Sequence, residues 1–337
     1  MKAVGFKTSL PIAAANSFID FETEKPTPQG HELLVKINAI AINPVDYKIR
    51  QNAAKDTELA EPKIIGWDAC GVVEAVGNEV SLFKVGDEVY YAGDITKPGC
   101  NAEYQVIDER IVGRKPKTLS NEEAAAMPLT TLTAWEILFD RIRISAEKDT
   151  GKTLLIIAGA GGVGSIAIQL AKKIAGLKVI ATASRPESIE WCKRMGADLV
   201  VNHKNLTAEV RNAGYHYVDF IVDFVDANAY WDEMVELIKP QGHIASITGS
   251  ATPIALNKLK TKSASFSWEF MYTRSAFQTE DMIEQHHILN KVANLIDEGV
   301  LVHTLTQTLT GLSAKTLKQA HEQLESGTTI GKLAIKL

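Results

Sequence analysis

Between Gly159 and Gly164 the chain reads Gly-Ala-Gly-Gly-Val-Gly, a spacing of glycines suited to holding phosphate. Gly159 is expected to permit a tight turn, and Gly161 to let the backbone approach a pyrophosphate. Gly162 and Val163 open a helix whose N-terminus faces the negative charge, while Gly164 lets that helix pack on the strand before it. The next apolar run, KVIATA, ends in Ser184-Arg185. A dinucleotide with a free ribose wants an Asp or Glu there to accept from its 2′-hydroxyl. None stands at that point, because Glu187 lies beyond Pro186 and in the following helix. A hydroxyl beside a guanidinium suits a 2′-phosphate, since arginine offers paired donors and a permanent charge. NADPH is the expected cofactor, the alternative being that Arg185 is only a solvated residue at a helix start.

Such a loop works only between a strand and a helix. From Thr153 to Ala171 the chain carries no charge and has Lys152 and Lys172 at its flanks, long enough for a membrane span. The four glycines divide it, however, into the β-branched run Leu154 to Ile157 and a run with helical spacing, Val163, Ile166, Ala167, Leu170, Ala171 and Ile174. It reads as strand, turn and helix, and no membrane association is expected. From Lys152 onward strands and helices alternate: TLLIIA, KVIATA, DLVV, YVDFIVDF and GHIASI, with helices between them. That alternation means a doubly wound parallel sheet with helices on both faces.

Residues 2 to 113 have a different texture. Short strands, KAVGF, LLVKINAIAI, ACGVVEAVG, DEVYYA and AEYQVI, are separated by the turn segments PTPQG, GNEV and TKPGC, which predicts a barrel-like, mostly β unit. After Pro116 helices follow, one through NEEAAAM with Ser120 as cap and Glu123 completing a capping box, another through TLTAWEIL. The tail holds helices near Asp281 to Ile296 and Ala314 to Leu324 and a closing strand, KLAIKL.

Composition bounds the rest. A chain of 337 residues exceeds the size at which single cores stop growing, so two domains are expected. A net charge of -5 gives no electrostatic reason to bind nucleic acid, and the densest basic patch, NKLKTK, reads as a solvated face. Cys70, Cys100 and Cys192 are far apart and form no C-x-x-C pair, which argues for a reducing compartment and against a structural zinc. MKAVGFKTSLP is too short in its apolar part for a signal peptide and reads as an opening strand, so a cytoplasmic location is expected.

GVVEAVG, VGDEV, the glycine loop and the closing Gly331-Lys332-Leu333-Ala334-Ile335 together resemble the medium-chain dehydrogenase/reductase superfamily. Asn43-Pro44-Val45-Asp46 and PLTTLTAW look like its quinone oxidoreductase branch, and SWEFMYTRSAFQTEDM like a group labelled zinc-type alcohol dehydrogenase-like. The resemblance implies a GroES-like substrate domain over residues 1–125 and 272–337 and a Rossmann domain over 126–271. The zinc enzymes of the superfamily carry their ligands at positions that here hold Asn43, Trp67 (in Gly66-Trp67-Asp68) and Leu129, and a proton-relay hydroxyl where this chain has Val45. Catalytic zinc needs three N, S or O ligands, and Asp46 and Asp68 alone do not supply them, so no metal is expected.

Without a metal to polarise a carbonyl, simple alcohols and ketones become poor substrates. Hydride would pass more readily to a quinone or to the β-carbon of an α,β-unsaturated carbonyl, which is the expected substrate class. By the resemblance, Asn43, Asp46 and Tyr47 line the substrate cleft, with Tyr47 a donor to the developing oxyanion and Trp67 a wall. Thr133 lies on the nicotinamide side and His203 near the adenosine. Against these roles, Asn43 also reads as a strand end, Tyr47 and Trp67 as core, Thr133 as an ordinary helix residue and His203 as a loop residue. No histidine is nominated as general acid or base. The alternatives are a zinc-type alcohol or aldehyde dehydrogenase and an NADPH-binding sensor without turnover. The resemblance also suggests a homodimer joined at a sheet edge through SASFSWEF, where Phe266, Trp268 and Phe270 alternate.

Overall fold

The computed structural model describes residues 1–337. The chain divides into two compact units, Met1–Leu129 with Tyr272–Leu337, and Thr130–Met271.

The first unit is mostly β. Its strands are β1 (Lys2–Phe6), β2 (Ile19–Glu22), β3 (Glu32–Ala41), β4 (Lys63–Ile64), β5 (Asp68–Val76), β6 (Glu88–Tyr91), β7 (Tyr104–Asp108) and β8 (Val112–Arg114). The remaining segment returns as β15 (Leu305–Thr310) and β16 (Lys332–Lys336). One sheet has the order β15-β16-β3-β5-β6-β8 with β7 also on β3, and a smaller one the order β2-β1-β4. Register decides what meets at one end of the larger sheet: Ala41 lies opposite Asp68 on β5 and opposite Ala334 on β16. Asp68 and the residues just past these pairs, Asn43 and Lys332, are thereby brought to the same end. There β3 stops and the helix Pro44–Asn52 begins, with Pro44 in its first turn, where a missing N–H is harmless. Asp46 reaches back so that Oδ2 accepts from the Asn43 backbone N–H at 2.8 Å. The NPVD segment is thus a helix start, and Asn43 is its N-cap residue. At Ser120 the expected capping box is present, with Glu123 N–H donating to Ser120 Oγ (3.2 Å) and Ser120 N–H to Glu123 Oε2 (2.9 Å).

The second unit carries β9 (Thr153–Ile157), β10 (Lys178–Thr182), β11 (Leu199–Val201), β12 (Val218–Asp223), β13 (Ile238–Ser246) and β14 (Ser265–Trp268) in the order β11-β10-β9-β12-β13-β14, every neighbouring pair parallel. This is the doubly wound order, whose direction reverses between β9 and β12. Its core includes Leu155, Ile157, Ile180, Ile221, Met234 and Ile244, all buried, as two-sided coverage of a parallel sheet requires. The uncharged run from Thr153 is strand, turn and the helix Gly162–Gln169, continued by a widened turn over Leu170–Ile174. No helix is long and apolar enough to cross a membrane.

Candidate active site

In the second unit the glycine loop leaves the C-terminal end of β9 and is tied to β10. Ala158 N–H donates to Thr182 Oγ1 (2.9 Å) and Gly159 N–H to the Thr182 carbonyl (3.1 Å). Each glycine answers to a different neighbour. A Cβ on Gly164 would stand 2.3 Å from the Ala158 carbonyl oxygen, so helix and strand meet there through bare backbone. A Cβ on Gly159 would stand 2.7 Å from Ala181 Cβ, whereas one on Gly161 would meet nothing nearer than 3.6 Å. Gly161 therefore borders free space, where a phosphate group needs close backbone approach. The left-handed residue of this turn is Ala158, at φ 67°. Gly159 is needed for packing against β10.

The ends of the next two strands extend this edge. Ser184 is exposed and Arg185 half-buried just after β10, with Arg185 Nε 3.4 Å from Glu187, a pair in largely solvated surroundings. Half-buried His203 opens a short turn after β11. A feature that sequence reasoning missed lies across the reversal point. There the buried Asp223 carboxylate accepts from Ser246 Oγ (2.9 Å), Thr248 Oγ1 (3.2 Å) and Val225 N–H (3.1 Å), and burial raises its pKa. Ligands of such sheets bind at the C-terminal strand ends beside the reversal. The loop and its open Gly161 face fit the pyrophosphate of a dinucleotide. Thr133 is buried in the helix Pro128–Trp135.

In the first unit a buried polar cluster occupies the sheet end. Asp68 is its hub. Oδ1 accepts from Leu129 N–H (2.7 Å), and Oδ2 accepts from Asn43 Nδ2 (2.8 Å) and Lys332 Nζ (3.1 Å). Lys332 also donates to Asn43 Oδ1 (2.5 Å) and the Ile42 carbonyl (2.9 Å). Asn43 and Leu129 thus both donate to the one aspartate. Both ends of the Asn43 amide are engaged within the protein, so it has no unpaired donor to offer a substrate. Burial raises the Asp68 carboxyl, opposed by the ammonium and by its N–H donors, and lifts the Asp46 carboxyl from 3.8 to about 7.

Asp46 Oδ1 and Trp67 Nε1 are buried with no partner in the chain, a state usually completed by ligand or ordered water. Trp67 is fully buried, its ring 6.2 Å from that of Tyr272 in an edge-on arrangement. Tyr272, also buried and also missed, feels the charges of Asp46 and Asp68, and burial holds its phenol well above the ordinary value. Tyr47 differs from these: it is partly exposed, its hydroxyl has no partner in the chain, and desolvation raises its pKa.

Zinc does not fit here. The indole nitrogen of Trp67 is a donor only, Leu129 has no ligand atom in its side chain, and Asn43 Oδ1 is taken by an ammonium. Every group turned toward the Asp68 oxygens presents a hydrogen.

The sequence matches the Alcohol dehydrogenase GroES-like domain family over residues 29–117 and the Zinc-binding dehydrogenase family over residues 162–285. It is 45% identical, over all of both chains, to a Staphylococcus epidermidis protein named zinc-type alcohol dehydrogenase-like protein. The chain belongs to the medium-chain dehydrogenase/reductase superfamily. Among solved structures, a Rhizobium etli CFN 42 protein assigned as a zinc-dependent alcohol dehydrogenase is 47% identical, with TM-score 0.95, over 100% of this chain and 98% of that one. Escherichia coli quinone oxidoreductase complexed with NADPH is 26% identical, with TM-score 0.84, over 100% of both. An Arabidopsis thaliana relative named NADPH-dependent alkenal/one oxidoreductase is 35% identical across 68% of this chain and 58% of its own length. This medium-chain dehydrogenase/reductase has the two-domain architecture of its superfamily, and it is an oxidoreductase.

Proposed function

We propose that this oxidoreductase uses NADPH to reduce quinones or α,β-unsaturated carbonyls, without zinc. The observation that carries the reading is the donor-saturated Asp68, whose oxygens face an amide, a backbone N–H and an ammonium at the place where the zinc enzymes hold their metal. The names of the quinone oxidoreductase and the alkenal/one oxidoreductase support the acceptor class, and both name NADPH.

NADPH, when bound, supplies a hydride to the acceptor. The chain's own groups do the rest: the glycine loop and Ser184-Arg185 hold the phosphates, with Thr133 and His203 proposed at the nicotinamide and adenosine ends. Tyr47 donates a hydrogen bond to the oxygen on which charge develops. Asn43 positions Asp68 and the start of the Tyr47 helix, and Trp67 walls the site. We further propose that the enzyme is a cytoplasmic homodimer paired along β14.

The test is NADPH oxidation across a panel of quinones, enones, simple ketones and aldehydes, with elemental analysis of the same protein. Quinones or enones should turn over far faster than simple ketones, and chelators should leave the rate intact. Arg185→Ala should weaken NADPH about ten- to a hundredfold and leave NADH nearly unchanged, as expected for one charge-assisted contact of about 1.5–3 kcal/mol. One tightly held zinc per chain together with alcohol-dependent NADP reduction would overturn the reading. So would tight NADPH binding with no acceptor reduced.

A further inference from the structure

Lys332 is the first residue of β16, and its side chain is only 4% exposed. Burying an ammonium is unfavourable unless its charge and all its protons are met. Here they are: three N–H groups point at three oxygens, from the Ile42 backbone, the Asn43 amide and the Asp68 carboxylate. The donor set is all oxygen and carries one full negative charge, the kind of ring that hard cations select. All three members lie at the one sheet end where β3 stops beside Asp68.

We propose that the Lys332 ammonium is the resident cation of this centre, a charge tethered to the chain and seated in an oxygen cage made by Ile42, Asn43 and Asp68. Lys332 acts as a positioning residue. It fixes the Asn43 amide with Oδ1 toward Nζ and Nδ2 toward Asp68, and it holds Asp68 in place to accept from Leu129 N–H. The consequence for hydride transfer rests on the function proposed above, but the cage itself does not.

The experiment separates the two. Lys332→Ala removes Cγ to Nζ, which together have the shape of n-propylammonium. The melting temperature of this variant should fall by several degrees and rise again, saturably, with n-propylammonium, while 1-propanol, equal in shape and uncharged, has no such effect. Divalent manganese or magnesium should also stabilise the variant and leave the parent protein unmoved. NADPH oxidation by the variant, with and without propylammonium, is read separately: thermal rescue without recovered turnover would keep the cage and count against the reaction. Equal stabilisation by 1-propanol and propylammonium, or none by any cation, overturns the proposal. If Lys332→Ala does not fold, the pair Lys332→Met with Asp68→Asn decides. A double variant that folds and melts well above Lys332→Met alone supports a charge role for Lys332, whereas Lys332→Met alone as stable as the parent protein makes the residue simple packing and sinks the idea.

Discussion

The chemistry of Asp46 depends strongly on its surroundings. Its carboxyl is lifted from 3.8 to about 7, first by burial and further by the charge of Asp68, against the pull of the Asn43 N–H and Lys332. A carboxyl raised on folding takes up a proton between those two values, so its contribution to stability is complete below about pH 4 and is lost as pH climbs through 7. Asp46→Asn keeps an acceptor for the Asn43 N–H and removes the titration. Relative to the parent, the variant should therefore gain stability from pH 4 to 7, by at most about 1.4 kcal/mol per pH unit, and hold level above. Urea unfolding at pH 5, 6, 7 and 8 measures this, and a constant difference across the range would refute the assignment. The sequence made Asp46 a candidate through its family position alone. Lys332 could have been suspected on physical grounds, because a lysine at the start of the apolar strand KLAIKL demands a buried acid. Nothing in the sequence says that the acid is Asp68, 264 positions away. Tyr272 gave no signal, since its place depends on where the return segment re-enters the first unit.

At the scale of elements, the glycine loop separates what spacing foretells from what it leaves open. The strand, turn and helix were legible because apolar periodicity changes across four glycines. The position of the left-handed residue was not, because Ala158 looks like the end of the strand. Ala158→Gly should relieve a positive φ and stabilise the unit by about 1 kcal/mol. Gly164→Ala should do the reverse by several kcal/mol, since its Cβ meets two backbone oxygens, at 2.3 and 2.7 Å, that cannot move without opening the turn. Thermal unfolding of both variants tests this, and a tolerated Gly164→Ala would show that the helix start yields easily. Strands β2 and β15 were missed. IDFE is short and edge-like, and LTQTLT alternates half-buried with exposed positions, so neither presents the apolar run that marked the others.

At the scale of the whole molecule, β14 ends its sheet with one edge unpaired, and Trp268 and Phe270 remain 47% and 48% exposed beside it. An uncovered edge carrying large apolar side chains favours pairing with another strand. Trp268→Lys with Phe270→Asp should convert the proposed dimer to monomer in sedimentation velocity and leave the melting of the isolated chain nearly unchanged; an unaltered sedimentation coefficient would remove β14 from the interface. The parallel architecture was legible from strand–helix alternation, while the edge was suggested only by resemblance and an aromatic alternation that buried strands share. The division of the chain carries a last consequence, for synthesis on the ribosome. Thr130–Met271 is one uninterrupted segment, whereas the first unit is built from two pieces on either side of it. Domains generally fold as units as they emerge. The parallel sheet can therefore close while Asn43 and Asp68 still lack the Lys332 ammonium, which arrives with β16. A nascent chain stalled before Lys332 would hold a finished parallel sheet and an aspartate hub without its countercharge, open to chaperone or protease until the last strand is made.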